Sequence, residues 1–342
     1  FYSPYLGKAG QSDYYLLFIH KYAAKKYLKP GGAISFVVPD PLLCRGNAES
    51  ARLRLLEEVD LVSLVHAKGI FPEAGVANVV FLGRRRADTP GEGLKVHVAR
   101  LETREACRHY FKGDARPAAA LERDVSIDVF RSTPAKEFRY LLSEGAEKVI
   151  ARLDTKKPPH KNCGVVVRSL GSIASARGSI FRGEEVGKAK IRTLIGKNRS
   201  GGVPILLGGE NVHRYAVRDD GFFIPSESVR KDVNRYRRQK ILVQKSTGRL
   251  IAALDKKGFV FPQSVYGILV NDPRIGYAFI LAQLNSHLIN FYVQVMFTGY
   301  KLVQPQIEIE DIKRLPVIVP EFEESVEARQ PSLESAKGLY KQ

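Results

Sequence analysis

Leu28-Lys29-Pro30-Gly31-Gly32-Ala33-Ile34-Ser35-Phe36-Val37-Val38-Pro39-Asp40 is the stretch that decides the fold class. Before it, Tyr15, Leu16, Ile19, Tyr22, Ala23 and Tyr27 recur at helical spacing, behind Ser12-Asp13, whose short polar side chains suit a helix cap. Lys29-Pro30-Gly31-Gly32 stops that helix, because proline cannot continue it and glycine tolerates left-handed turns. Ala33 to Pro39 is a short, β-branched, apolar run, which reads as a strand buried on both faces, as in a parallel sheet. A second helix is expected from Ala48 to Glu58 behind Asn47, then strands at Val62–His66 and Val76–Leu82. The order helix, strand, helix, strand, loop, strand is that of one edge of a doubly wound α/β sheet. Three strands are too few to shield both faces, so the rest of the sheet is expected from residues before Phe1 or from another chain.

The 342 residues carry 54 Lys+Arg against 36 Asp+Glu, a net charge of +18, with 44% hydrophobic and 26% charged residues. These fractions argue against a disordered chain, and the length suggests about two domains. The charge divides as +5 over residues 1–100, +9 over 101–200, +6 over 201–300 and −2 over 301–342. An excess spread over the body suits a broad surface facing a polyanion; the alternative is a basic but inert surface. Cys44, Cys107 and Cys163 are widely spaced and form no CxxC pair, which argues against a disulfide scaffold or a zinc site and fits a reducing, cytoplasmic setting. No apolar run approaches the roughly 20 residues of a membrane span, and no secretory leader pattern is present. No HExxH, GxSxG or GKS/GKT pattern occurs, so zinc peptidase, α/β-hydrolase and phosphate-loop chemistries find no support.

Further along, Leu94–Val98 reads as a strand and Ala135–Leu153 as helical, and Lys156-Lys157-Pro158-Pro159-His160 reads as a linker. From about 165 to 320 short strands and turns dominate, with strands at Val203–Leu207, Lys240–Gln244, Leu250–Ala253 and Ser264–Val270. One apolar helix is expected from Ile275 to Val293. The expected division is a catalytic-type α/β body over 1–120, a helical linker over 121–164, a strand-rich α+β body over 165–320 and an acidic tail over 321–342.

Several ordered motifs carry a family resemblance. Asp13-Tyr14-Tyr15-Leu16-Leu17-Phe18-Ile19 through Pro39-Asp40, Arg45-Gly46-Asn47, and Ile70-Phe71-Pro72 followed by Val76-Ala77-Asn78-Val79-Val80 resemble the C-terminal half of the catalytic domain in TaqI-like adenine-specific DNA methyltransferases. Gly202 to Asn211, Lys240 to Asp255, Leu284-Asn285-Ser286, Gln304-Pro305-Gln306 and Lys313-Arg314-Leu315-Pro316 resemble that family's target-recognition domain. The fold class expected is therefore α/β: the C-terminal part of a Rossmann-like methyltransferase sheet, followed by a strand-rich α+β DNA target-recognition domain. The family's Asn-Pro-Pro-aromatic tetrapeptide and the glycine-rich turn that holds S-adenosylmethionine are not found; both are expected before Phe1, so this chain alone should not methylate.

The resemblance implies that double-stranded DNA is bound and an adenine flipped from the stack, because its exocyclic amine is hidden inside a duplex. Phe71 matches the aromatic that stacks on the flipped base, and Pro72 would fix its loop; the alternative is that Phe71 packs against the sheet edge. Asp40 sits where sheet proteins place ligand-facing residues, or it caps the next turn. Asn78, which interrupts an apolar strand, is read as a hydrogen-bonded edge position before a pocket residue. Pro305 matches the residue that fills the gap beside the orphaned partner base, or it simply ends a loop. Arg214, Arg235, Arg237, Arg238, Lys245 and Arg249 are the candidate DNA contacts, each also readable as solvated surface. Arg249 lies on an expected hairpin turn, where a base edge is within reach. No metal site is expected. Two further readings stay open: a non-catalytic recognition module that needs a partner chain carrying the cofactor half, and a methyltransferase acting on RNA.

Overall fold

In the computed structural model, Ala33–Pro39 (β1), Val59–Ala67 (β2), Asn78–Arg85 (β3), Lys95–Leu101 (β4) and Leu121–Ser126 (β5) form one sheet in the order β1-β3-β2-β4-β5. The structure describes residues 13–24, 27–71, 73, 75–86, 93–113, 121–153, 164–174, 178–185, 188–197, 201–303 and 305–320. β3 runs antiparallel to both β1 and β2, β4 runs parallel to β2, and β5 is antiparallel to β4. The sheet is thus mixed, and β1 is not buried on both faces as its sequence suggests. Ile34 and Val38 are buried, whereas Ala33, Ser35 and Val37 are exposed. β1 pairs with β3 alone among the described residues, so it is an edge strand with one covered face.

The helices Tyr14–Tyr22 and Glu49–Glu58 cover one face, where Leu16, Ile19, Leu55, Val79 and Phe81 share a core. Side chains alternate along a strand, so Val65 and Ala67 face the other way, against Ala106 and Cys107 of the helix Arg104–Lys112. Asp13 stands at the first helix's N-cap position, but only its backbone carbonyl contributes, accepting from Leu16 N–H at 3.0 Å; Ser12 lies outside the described residues. A 3-10 turn, Gly46–Ala48, leads into the second helix and puts Ala48 rather than Asn47 at its cap. Arg52 is wholly buried and donates to the carbonyls of Leu42, Arg45 and Ala135, satisfying loop groups that would otherwise be orphaned.

The stretch 121–164 is not a helical linker from its start. Residues 121–126 are β5 of the first sheet, and Phe130, Phe138 and Tyr140 belong to its core. The helix expected over 135–153 is confined to Glu144–Arg152, opened by Ser143, whose hydroxyl accepts from Ala146 N–H at 3.2 Å. Ahead of it the chain turns sharply, with φ of 53° at both Ala135 and Lys136. The Lys156–His160 linker, Cys163 and the acidic tail from Glu321 lie outside the described residues.

The rest of the chain adds Val165–Ser169 (β6), Ile180–Arg182 (β7), Gly202–Ile205 (β8), Val212–His213 (β9), Ala216–Val217 (β10), Phe222–Pro225 (β11), Lys240–Gln244 (β12), Ala252–Asp255 (β13), Val265–Ile268 (β14) and Pro316–Pro320 (β15). An antiparallel sheet of order β13-β12-β14-β7 lies at its centre, and β6/β15, β8/β11 and β9/β10 form pairs. β12 alternates between two cores: Ile241 and Val243 join one, Leu242 the other. The long apolar helix is two helices, Tyr277–Leu284 and His287–Met296. They part at Asn285-Ser286 because the Asn285 amide bonds both the N–H (3.0 Å) and the carbonyl (2.9 Å) of Ala252, while Ser286 Oγ caps the second helix from Ile289 N–H at 3.2 Å. No helix among the described residues is long and apolar enough to cross a membrane.

Lys240 and Asp255, paired across the β12–β13 ladder, are a fully buried ion pair with Nζ 2.5 Å from Oδ2. Lys240 also donates to the Tyr236 carbonyl, and the Asp255 carboxylate accepts from the N–H groups of Lys257, Gly258 and Phe259. Lys240→Met leaves that carboxylate buried without its cation and is expected to lower unfolding stability by about 3–5 kcal/mol, read from urea midpoints. His20 and His66 are also buried, and burial holds both imidazoles below their ordinary range. The unfolded chain therefore binds more protons than the native one, so stability rises with pH through this window. The urea midpoint is expected to fall as pH drops below about 6.5, with a shallower fall in His66→Gln; an unchanged slope in that variant would show that His66 is not the titrating group.

Candidate nucleic-acid interface

Because β1 and β2 both oppose β3, the C-terminal ends of β1 and β2 and the start of β3 share one edge of the sheet. Asp40, Phe71 and Asn78 meet there. Asp40 opens the 3-10 turn Asp40–Leu42, donates its N–H to the Ala77 carbonyl at 3.0 Å, and is only 9% exposed. Its carboxylate lies 3.5 Å from Nε2 of the buried His66, whose Nδ1 shares a 2.5 Å hydrogen bond with the Tyr140 hydroxyl. Burial lowers the His66 pKa in spite of the Asp40 carboxylate. Phe71 is 51% exposed on the loop from β2 to β3, so much of its ring is not packed on the sheet. Pro72 lies outside the described residues. Asn78 begins β3 rather than interrupting a strand, and its buried Oδ1 has no hydrogen-bond partner among the described residues. His66 and Tyr140 were not singled out by sequence; the only signal was an imidazole closing the apolar run Val62–His66.

The basic candidates separate to the two ends of β12. Arg235, Arg237 and Arg238 precede Lys240, on and just after the short helix Val233–Arg237. Arg235 lies 5.1 Å from the Phe181 ring centroid, and Arg237 and Arg238 are exposed. Lys245 and Arg249 follow Gln244 at the opposite end, roughly 15 Å away at the rise of an extended strand. Lys245 is fixed by backbone, donating its N–H to Ser264 and accepting from Ile307 N–H, and its Nζ lies 3.7 Å from Glu308. Arg249 is exposed on the turn after β12. A Cβ placed on Gly248 of that turn would come 3.8 Å from Pro305 Cγ, so Pro305 and the Arg249 turn are neighbours. Arg214, at the tip of the β9–β10 hairpin, joins this end: the next residue, Tyr215, donates its N–H to Ala252 at 2.9 Å. The structure thus brings Arg214, Lys245, Arg249 and Pro305 together and sets Arg235, Arg237 and Arg238 apart.

The loop that carries Pro305 is tied to the first sheet. Arg100, beside His66 in the β2–β4 ladder, donates to the Gly299 carbonyl at 2.9 Å. The Tyr300 hydroxyl accepts from Leu141 N–H at 3.2 Å, and its ring meets Tyr140 edge-on at 5.2 Å. A cleft of about 240 Å³ opens here between Lys68, Arg100, Gly248, Lys301 and Pro305. A second, of about 850 Å³, is lined by Asp40, Arg45, Phe297, Tyr300 and Arg314.

S-adenosylmethionine needs an open backbone turn after a strand. Neither the turn after β1 nor the turn after β2 fits it: β1 runs into Asp40-Pro41, and a Cβ on Gly69 would lie 3.3 Å from Arg104 Cβ, so protein already fills that space. Among the described residues no group of three or more His, Cys, Asp or Glu is placed to hold a metal ion.

Residues 204–317 match the family model described as the TaqI-like C-terminal specificity domain. No curated protein matches the chain in sequence. Among solved structures the chain is similar to the type IIG restriction endonuclease BpuSI, at 12% identity over 92% of this chain and 43% of that one, with a TM-score of 0.36. It is similar to the type IIL restriction-modification enzyme MmeI in complex with DNA, at 9% identity over 88% of this chain and 40% of that one, TM-score 0.48. It is similar also to DrdV in a DNA complex, at 10% identity over 90% of this chain and 39% of that one, TM-score 0.43. The chain spans well under half the length of these proteins.

Proposed function

We propose that this chain is the C-terminal portion of an adenine-specific DNA methyltransferase, working in a restriction–modification or related defence system, with duplex DNA as its substrate. The observation that carries the reading is the match of residues 204–317 to a specificity-domain family, together with the cleft where Gly248 and Pro305 of that segment meet Lys68 and Arg100 of the first sheet. We divide the chain into the catalytic-type body, 1–120, extended by β5; a connecting segment to 164; the recognition body, 165–320; and the acidic tail, 321–342. Phe71 stacks on the flipped adenine, Pro72 fixes its loop, and Asp40 borders the pocket. Pro305 fills the space left beside the partner base, as rigid apolar wedges do at unstacked steps. Arg214, Lys245 and Arg249 meet the DNA near that step, and Arg235, Arg237 and Arg238 hold the backbone one strand-length away.

S-adenosylmethionine, which supplies the methyl group, is held by the other half of the sheet, in the same polypeptide or on a partner chain. The edge of β1, which has no strand partner among the described residues, supports this, together with Val37 and the exposed Tyr14 and Phe18 on the neighbouring helix. An open edge with apolar neighbours calls for a covering element.

Duplex binding by the 342-residue chain is expected to weaken with salt by about 0.9 log unit per neutralised phosphate per log unit of salt. A salt-independent affinity, or tighter binding of structured RNA than of duplex DNA, would overturn the reading. In the complete enzyme, Phe71→Ala is expected to cut methylation far more than it lowers the melting temperature, since base–aromatic stacking contributes about 1–3 kcal/mol. Unchanged methylation removes Phe71 from the site.

A further inference from the structure

Arg214 and Tyr215 are the two residues that join the paired His213 and Ala216 at the tip of the β9–β10 hairpin. Tyr215 has a φ of +68°, in the left-handed region where a Cβ crowds the backbone and where turns normally place glycine or asparagine. Burial does not offset this strain, because the ring is 48% exposed. What the conformation achieves is local. The Tyr215 ring lies against the Arg214 guanidinium, with Cζ 5.0 Å from the ring centroid. Arg214 Nη2 also donates to the Asn285 carbonyl at 3.1 Å. The guanidinium is held between an aromatic face and a carbonyl, and no carboxylate pairs with it among the described residues.

A phosphate accepts a cation from many directions, so a phosphate contact needs no such arrangement. A base edge does, since the two parallel bonds from a guanidinium to a guanine require the planar fork in one orientation. Ordering the side chain during folding leaves less entropy to be lost on contact. We infer that Arg214 reads a guanine edge in the major groove and that Tyr215 is its positioning residue, strained in order to hold the guanidinium. This rests on the reading of the chain as a duplex-DNA binder.

The test is selection from a random-sequence duplex pool by the 342-residue chain, followed by titration of the selected duplex and its single-base variants. Arg214→Lys keeps the charge and loses the fork; Tyr215→Gly removes the ring and relieves the strain. Both are expected to lose preference for guanine at one position by about 5- to 150-fold, a loss larger than any fall in affinity for non-selected duplexes. Tyr215→Gly is also expected to melt at the same temperature as the parent or higher, which a structural role for the ring would reverse. The inference is overturned if both variants keep the parent's base preference. It is equally overturned if affinity falls alike for every duplex, selected or not, the signature of a contact to the backbone. If the parent chain enriches no motif and binds no duplex, the DNA reading itself fails and this inference with it. A motif that survives both substitutions fails this inference alone.

Discussion

The reversed direction of β3 between β1 and β2 is the constraint on which the arrangement depends. A strand that enters antiparallel between two co-directed neighbours returns the chain by a short loop to the edge where both of those strands end. Asp40, the Phe71 loop and the first residue of β3 are therefore gathered at one edge. β4, parallel to β2, brings Arg100 to that same edge, next to His66. From there Arg100 reaches the Gly299 carbonyl, and the second body is hung on the end of the first sheet.

Buried charges hold this architecture at points where apolar packing alone would leave backbone groups unsatisfied. Arg52 collects three loop carbonyls behind β1. Glu137 and Arg139 pair in the interior beside the recognition body, where Arg139 touches Met296. Glu184 accepts from the N–H groups of Arg230 and Lys231 and from the Tyr236 hydroxyl, fixing the segment that leads to β12. A buried charge contributes little through its Coulombic attraction alone, but its loss is severe, so such groups fix one geometry rather than add much stability.

The legible part of the fold was the part whose signal is local. Ala33–Pro39 and Lys240–Gln244 are strands with the ends their residues suggest, because Pro39 and the Gly31-Gly32 turn bound one and apolar content defines the other. The direction of β3 was not legible, since a strand of Val, Phe and Leu reads the same in either orientation. The apolar run at Val37-Val38 concealed an alternation that Ser35 alone hinted at. β5, Leu-Glu-Arg-Asp-Val-Ser, has too little apolar content to announce itself and is held by its ladder with β4. The helix break at Asn285 depends on Ala252, which is distant in sequence. The candidate residues divide likewise: Phe71 and Pro305 are proposed from motifs and Asp40 and Arg249 from their places after a strand and on a turn, while the contacts of His66, Tyr140 and Arg214 join residues far apart in sequence.

Gly299 carries a consequence for modularity. A Cβ at this position would lie 2.4 Å from the Gln294 carbonyl oxygen and 2.5 Å from Leu141 Cδ1, so the chain passes through with no space for a side chain. Leu141 lies outside the 204–317 family match and Gly299 lies inside it. The seam between the two bodies therefore runs through the 204–317 segment. A segment exchanged at the bounds of the family match would inherit a mismatched seat for its own loop. The unit that can be transplanted intact is the domain together with the Tyr140-Leu141 surface on which Gly299 and Tyr300 rest.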